Sequence, residues 1–394
     1  MKQLTGLFLA FMLSITAFGG EIEFTHSLTW KEIKEKAAKE KKMIFFDAYT
    51  SWCGPCKYLE KKIYTDDAVA SYYNANYINV KFDMENGEGI SLAEELGITS
   101  YPTLLYFSPE GKLVHKHIGA MTAPEFINLG KDAQNPSKQY FALKEKALKL
   151  NLSDVDFAVW ASQADKLDDS DKESIIAGYL RDKTDILGNR EIATTVLMYT
   201  DNLTDKQLTY LHSNQTKIGQ LMEWDASRTA SVLYKKLFRQ AAALYEKSNN
   251  NIDSFSAMVR KFDPQKENYA VKDLLFKVAV FINKDNNKAT NLLIQYLKDT
   301  KKPVSIDALA GWLLDYSSSF ETADFKKIND QLSLFKLRPI DKGKEYWLYL
   351  MQMMCYVKAG NEVKAKLFAE KAYHHTGLPV EYKEVLKDSY GFTN

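Results

Sequence analysis

The chain has 394 residues, with 52 Lys or Arg against 51 Asp or Glu. That balance argues against a protein whose main task is to hold nucleic acid by neutralising phosphates. Three cysteines are too few for a disulfide-stapled framework or a four-thiolate zinc site.

Met1-Lys2 precede an apolar run from Leu4 to Phe18, then Gly19-Gly20 and the polar Glu21-Ile22-Glu23. One positive charge, a short apolar run and small residues at the exit predict a secretory signal peptide over 1–20. The run falls short of the ~20 residues that span a bilayer comfortably, and an uncleaved anchor is the alternative. The mature protein is expected to be soluble and exported, to the periplasm if the source is a Gram-negative bacterium.

Residues 21–133 alternate helix and strand signals. Ser27 to Lys42 reads as an amphipathic helix with Trp30, Ile33, Ala37 and Ala38 on one face. Met43 to Phe46 is a continuous apolar run, as in a strand buried on both sides. A helix follows Cys53 through Lys57, Leu59 and Ile63, and Asp66 to Asn74 reads as another. Tyr77 to Phe82 alternates as a strand. Leu92 to Leu96 is a short helix closed by Gly97. Thr103 to Phe107 and Lys112 to Ile118 form a hairpin around Pro109-Glu110-Gly111. Thr122 and Glu125 spell a capping box that opens a last helix. The expected fold is α/β, a mixed sheet with helices on both faces.

Over 134–394 strand signals disappear and an all-α domain is expected. Tyr140, Leu143, Ala147 and Leu150 follow helical spacing, as do Phe157, Trp160, Ala161 and Ala164 behind a cap at Ser153. Polar turns near Asn251, Asn286, Glu321 and Asn361 each introduce a helix. Their spacing of roughly 35–40 residues is that of tetratricopeptide-like helix pairs. A generic helical bundle fits equally well. Cys355, in the apolar run Leu350 to Cys355, reads as a buried inert thiol.

Cys53 and Cys56 carry the chemistry. A C-x-x-C pair serves either metal or redox work, and its place between a buried strand and a helix favours redox. Cys53 falls at the helix's first turn, where unpaired N–H groups and the dipole favour a thiolate. Cys56, one turn on, is placed to resolve a mixed disulfide. Pro55 suits a first turn. Zinc would need further ligands. His115 and His117 share one strand face, but the set lacks the usual spacing. As a structural staple, so short a disulfide loop would constrain the unfolded chain little. No metal and no cofactor beyond a redox-active Cys53–Cys56 disulfide is expected.

Trp52-Cys53-Gly54-Pro55-Cys56-Lys57 resembles the thioredoxin active-site motif residue for residue. Asp47 matches the family's buried acid, Tyr101-Pro102-Thr103 its cis-proline segment, and Lys81 its lysine near the acid. Among family members the sequence looks most similar to exported domains such as the C-terminal domain of the membrane carrier DsbD. It departs from thioredoxin in the Met84 to Ile90 insertion and in Tyr101, where the family usually has Ile. The resemblance implies a thioredoxin fold and a protein-disulfide reductase. Cys53 would attack, Cys56 would resolve, and Asp47, its pKa raised by burial, would take the Cys56 proton. Pro102 in cis would free the preceding backbone to pair with a substrate strand. Trp52, Gly54, Pro55, Tyr101 and Thr103 would form the docking face, with Lys81 in support. Lys57 reads as a solvated helix residue. The implied partners are proteins with disulfides and a membrane thiol donor of DsbD or CcdA type. The competing readings are a disulfide oxidase or isomerase, and a chaperone-like protein whose helical domain binds clients.

Overall fold

The computed structural model describes residues 20–392. The signal peptide expected over 1–20 therefore lies outside them, except for Gly20. Among the described residues no helix is long and apolar enough to cross a membrane.

The first part of the chain runs α1 (Trp30–Glu40), β1 (Met43–Tyr49), α2 (Gly54–Tyr58), α3 (Asp67–Asn76), β2 (Tyr77–Asp83), α4 (Glu88–Glu95), β3 (Thr103–Phe107), β4 (Leu113–Ile118) and α5 (Ala123–Gln134). The helix begun by α2 continues through a π-helical turn at Leu59–Ile63. The sheet order is β2-β1-β3-β4, parallel between β1 and β2 and antiparallel elsewhere. It is the expected mixed sheet.

Period-two alternation along β1 divides the core. Ile44, Phe46 and Ala48 point to one face, where Trp30, Ile33 and Ala37 of α1 and Leu92 of α4 cover them. Phe45 points to the other, under Leu59, Ile63, Tyr73 of α3 and Phe126 of α5. Asp47 shares Phe45's parity, so the fold carries a carboxylate under the helix that begins at Cys53. The helix termini are closed by their own side chains. Thr29 and Glu32 form a capping box on α1, and Thr122 and Glu125 form one on α5. Gly97 takes φ +58° beyond α4, a conformation that favours glycine.

Beyond Ile118 the described residues are helical or irregular. In α6 (Tyr140–Leu148) Tyr140, Leu143 and Ala147 are buried as expected. Leu150 is a correction: it lies past the helix end, at φ +53° and half-exposed. Its spacing continued the apolar stripe, but the chain turns at Lys149, the C-cap. In α7 (Asp154–Lys166) the Ser153 side chain caps the helix, and Phe157, Trp160, Ala161 and Ala164 are buried.

The chain divides into two compact units. Among the described residues, one comprises those up to Gln207 with Ser213–Ala230, and the other Leu208–His212 with those from Ser231 onward. The unit that holds the sheet therefore extends well past residue 134. His115 in β4 accepts a hydrogen bond at Nδ1 from the Tyr140 backbone N–H of α6 (2.9 Å), a buried joint between sheet and helix. In the second unit, helices Ile252–Phe262, Asn286–Lys298, Thr322–Leu334 and Glu362–Tyr373 begin at the four expected polar turns. Helix Glu345–Lys358 precedes the last of them, and Ala365, Ala369 and Ala372 are buried on the latter.

Candidate active site

Cys53 is the N-cap of α2, and its Sγ accepts a hydrogen bond from the Cys56 N–H at 3.1 Å. Pro55, in the first turn, lacks an N–H where none is needed. The Cys53 N–H donates to the Thr50 carbonyl (3.2 Å), which closes the turn between β1 and the helix. The two sulfurs are bonded at 2.06 Å. Both cysteines are buried in this oxidised form, at 2% exposure for Cys53 and 6% for Cys56. A helix N-terminus under Cys53 favours its thiolate once the disulfide opens.

Beneath the pair lies Asp47. Its register partners are Lys81 on β2 and Leu104 on β3, and it is 4% exposed. Desolvation pushes its pKa up to about 7, against the opposing pull of Tyr64 and Lys81. The Tyr64 hydroxyl is close enough to temper the rise. Neither that hydroxyl nor Asp47 Oδ1 makes a hydrogen bond of normal geometry. A cavity of about 60 Å³ opens beside Asp47, and Asp47, Thr50 and Cys56 share its lining. Ser51, Lys57, Glu60 and Lys81 line it too. Lys81 Nζ pairs with Glu60 at 2.7 Å and lies over the Tyr49 ring.

The outer face is built differently. Trp52 is 64% exposed, and its Nε1–H is held at 3.0 Å by both carboxylate oxygens of Glu85. Tyr101 meets the indole edge-on with ring centroids 6.1 Å apart. The Tyr101–Pro102 peptide is cis. Gly54 and Pro55 are exposed, whereas Pro102 and Thr103 are buried. The Thr103 hydroxyl donates to the Ser100 carbonyl (2.6 Å). Four groups of the site were not expected from the sequence: Thr50, Glu60, Tyr64 and Glu85. Glu60 stands four residues after Cys56, on the same helical face, which was a readable signal. Glu85 lies in the insertion after β2, and nothing local ties it to Trp52, 33 positions away.

The other candidates fall outside this site. His115 is buried with Nδ1 occupied by Tyr140, and burial pushes its pKa down to about 4. Among the described residues no group of three or more His, Cys, Asp or Glu is arranged to hold a metal ion. Cys355 is 1% exposed in the apolar core of the second unit, and burial pushes its thiol up to about 12. A thiol that stays protonated is a poor nucleophile. After reduction with dithiothreitol at pH 8, iodoacetamide is expected to label the Cys53–Cys56 peptide and leave Cys355 unlabelled until the chain is denatured. Peptide mass spectrometry reads this directly. Native labelling of Cys355 at a comparable rate would contradict it.

Comparison with known proteins agrees with this geometry. The thioredoxin-like domain family matches residues 29–134. Thioredoxin H1 of Arabidopsis thaliana is 30% identical over 102 residues, spanning 26% of this chain and 83% of that protein. A thioredoxin of Echinococcus granulosus is 36% identical over 81 residues, spanning 21% of this chain and 70% of that one. The thiol:disulfide interchange protein DsbD of Actinobacillus pleuropneumoniae is 32% identical over 102 residues. That match covers 25% of this chain but only 17% of DsbD. A thioredoxin fold with a close cysteine pair supports disulfide-reductase type activity. Through its sheet-bearing N-terminal region, which an all-helical region follows, the chain belongs to the thioredoxin family.

Proposed function

We propose that the chain is an exported thiol–disulfide oxidoreductase that reduces disulfides in proteins. The observation that carries this reading is the Cys53–Cys56 pair at a helix start, above a buried Asp47 and beside a cavity that Asp47 and Cys56 share. In the reduced state the Cys53 thiolate attacks one sulfur of a substrate disulfide, and the other sulfur leaves as a thiolate. Cys56 passes its proton to the Asp47 carboxylate, and its thiolate attacks Cys53 Sγ. The Cys53–Cys56 bond forms and the bond from Cys53 to the substrate breaks. Two electrons have moved, and the departing substrate sulfurs take protons from solvent. Trp52, Tyr101 and the backbone before Pro102 form the docking face.

Export rests on the N-terminal apolar run. An exported reductase needs a supply of electrons, and a membrane thiol carrier of the DsbD or CcdA type is the proposed donor. Gly54-Pro55, the dipeptide of reducing thioredoxins, supports the reducing direction. Reduction potentials of such dithiols run from about −270 mV for thioredoxin to about −120 mV for DsbA. Equilibration of the Cys53–Cys56 couple against dithiothreitol or glutathione buffers is expected to give a potential at the reducing end of that range. A potential above its midpoint, about −195 mV, would replace the reductase with an oxidase or isomerase.

A further inference from the structure

Three features of Thr50 stand together. The residue is 1% exposed and its hydroxyl finds no hydrogen-bond partner in the protein. It shares the lining of the cavity beside Cys56 with Asp47, whose Oδ1 is equally unpartnered. Its carbonyl receives the Cys53 N–H, so its position is tied to the nucleophile's turn. A buried hydroxyl left without a partner costs on the order of 1–3 kcal/mol, and such groups are normally satisfied by protein or water. A water needs about 10–15 Å³ and two or more polar neighbours. The cavity is about 60 Å³ and offers both.

We propose that Thr50 is a positioning residue for proton transfer, its hydroxyl fixing the water that carries the Cys56 proton to Asp47. The inference rests on the reductase reading above. The hydroxyl suits this task because it accepts and donates at once. It accepts from the water while that water's other hydrogen points at the carboxylate, or donates while the water accepts from Cys56. The Cys56 S–H bond breaks, the Asp47 O–H bond forms, and no electrons leave the pair until Cys56 attacks Cys53. Ser51, Lys57 and Glu60 of the lining are exposed, which gives the proton an exit to solvent.

The groups facing Asp47 limit what a pH profile will read. They are Lys81 on β2, Tyr49 on β1, Tyr106 on β3, Glu60, Lys57 and Cys56 on the helix, and Tyr64 after it. Of the carboxylates among them, Asp47 is the buried one with an unpartnered oxygen, whereas Glu60 is paired with Lys81. Ionised Asp47 is the form that accepts the proton, so resolution quickens as pH rises through its titration. Losing a hydrogen bond to the carboxylate raises that titration.

The test uses the full chain carrying Thr50→Val, Thr50→Ala and Thr50→Ser. Single-turnover oxidation of the reduced protein by a disulfide peptide, from pH 5.5 to 9, reads resolution. Thr50→Val is expected to slow resolution about tenfold near pH 7, less than the roughly 10²–10⁴-fold of a whole general acid–base contribution because Asp47 itself remains. Its acid limb should move to higher pH, and the Asp47 carboxyl titration, read by carbon-13 NMR, should rise with it. Thr50→Ser should restore both. Within a Cys56→Ala background, adding Thr50→Val should leave the alkylation rate of Cys53 as it is in Cys56→Ala alone, and a comparable slowing there would overturn the proposal. Superimposable pH profiles for Thr50→Val and wild type overturn the proposal. So does Thr50→Ser behaving as Thr50→Val, which would mean that packing and not the hydroxyl matters. If Thr50→Val fails to fold, the comparison of Thr50→Ala with Thr50→Ser decides in the same way. A wild-type protein that reduces no disulfide removes the reductase reading, while the NMR titration still reports whether Thr50 and Asp47 are coupled.

Discussion

Cys53→Ala is expected to reduce insulin no faster than dithiothreitol does alone, whereas the wild type accelerates the reaction severalfold or more. The attacking group in thiol–disulfide exchange is a thiolate, and Cys53 is the only one of the three cysteines that caps a helix. Cys56 cannot replace it. Cys56 sits one turn inside the helix, over a cavity shared with a carboxylate, where an anion is less welcome. Cys355 is sealed in another core. Cys56→Ala is expected to behave differently from Cys53→Ala. It should still attack but stall as a mixed disulfide, which a non-reducing gel shows as a slower band that dithiothreitol removes. The pair of variants also separates the competing readings. Full activity in Cys53→Ala would mean that Cys53 is not the nucleophile. Binding of unfolded chains without disulfide reduction, in both wild type and variant, would give the helical region the main role. The trapped Cys56→Ala adducts identify the substrates, which makes this the most informative experiment on the chain.

How far these features could be read from sequence depends on the range of the contacts that make them. The β1 run, the helix starts at Asn251, Asn286, Glu321 and Asn361, the capping box at Thr122 and the cap at Ser153 are local patterns, and the structure places an element at each. The burial of Asp47 was expected from the resemblance to thioredoxins and not from the local pattern, because the apolar run ends at Phe46 whereas β1 continues to Tyr49. What could not be read is long-range. Glu60 meets Lys81 across 21 positions, Trp52 meets Glu85 across 33, and Tyr140 meets His115 across 25. Each joins side chains that no spacing rule brings together. The last of these contacts extends the packed unit beyond α5, because a buried imidazole that accepts a backbone N–H ties α6 to the sheet. Thr50 was legible as a residue and not as a group in the site. Whether a hydroxyl beside a C-x-x-C faces solvent or a cavity depends on how the helix sits on β1.

Asp47→Asn is expected to stabilise the oxidised protein at alkaline pH while it slows turnover. The Asp47 pKa is 3.8 in an exposed chain and about 7 in the fold. A difference of about 3 pH units corresponds to about 4 kcal/mol between the two protonation states, an order-of-magnitude figure. The sign follows from proton binding. Between pH 4 and 7 the folded state keeps a proton on Asp47 that the unfolded state has released, so stability falls as pH rises through that window. Above pH 7 the fold carries a buried carboxylate with Oδ1 unpartnered, and the full penalty is present. Below pH 4 both states are protonated and the penalty is absent. Asparagine has nearly the same shape and no charge to desolvate, so the Asp47 contribution to the pH dependence is absent from the variant. Hydrogen exchange of the Met43–Tyr49 and Thr103–Phe107 peptides, in the full chain, localises the measurement to the sheet around Asp47. The opening free energy of those strands should be similar in variant and wild type at pH 4. By pH 8 it should exceed the wild-type value by up to about 4 kcal/mol. The same substitution removes the proton acceptor for Cys56, so resolution of a mixed disulfide should slow most at neutral pH, where the wild-type carboxylate is partly ionised. Greater stability with slower chemistry in one variant is the pattern of a buried group kept for function at a cost to the fold. An Asp47→Asn protein no more stable than wild type at pH 8 would mean that the carboxylate is better solvated, through the cavity at Glu60 and Lys81, than its burial implies.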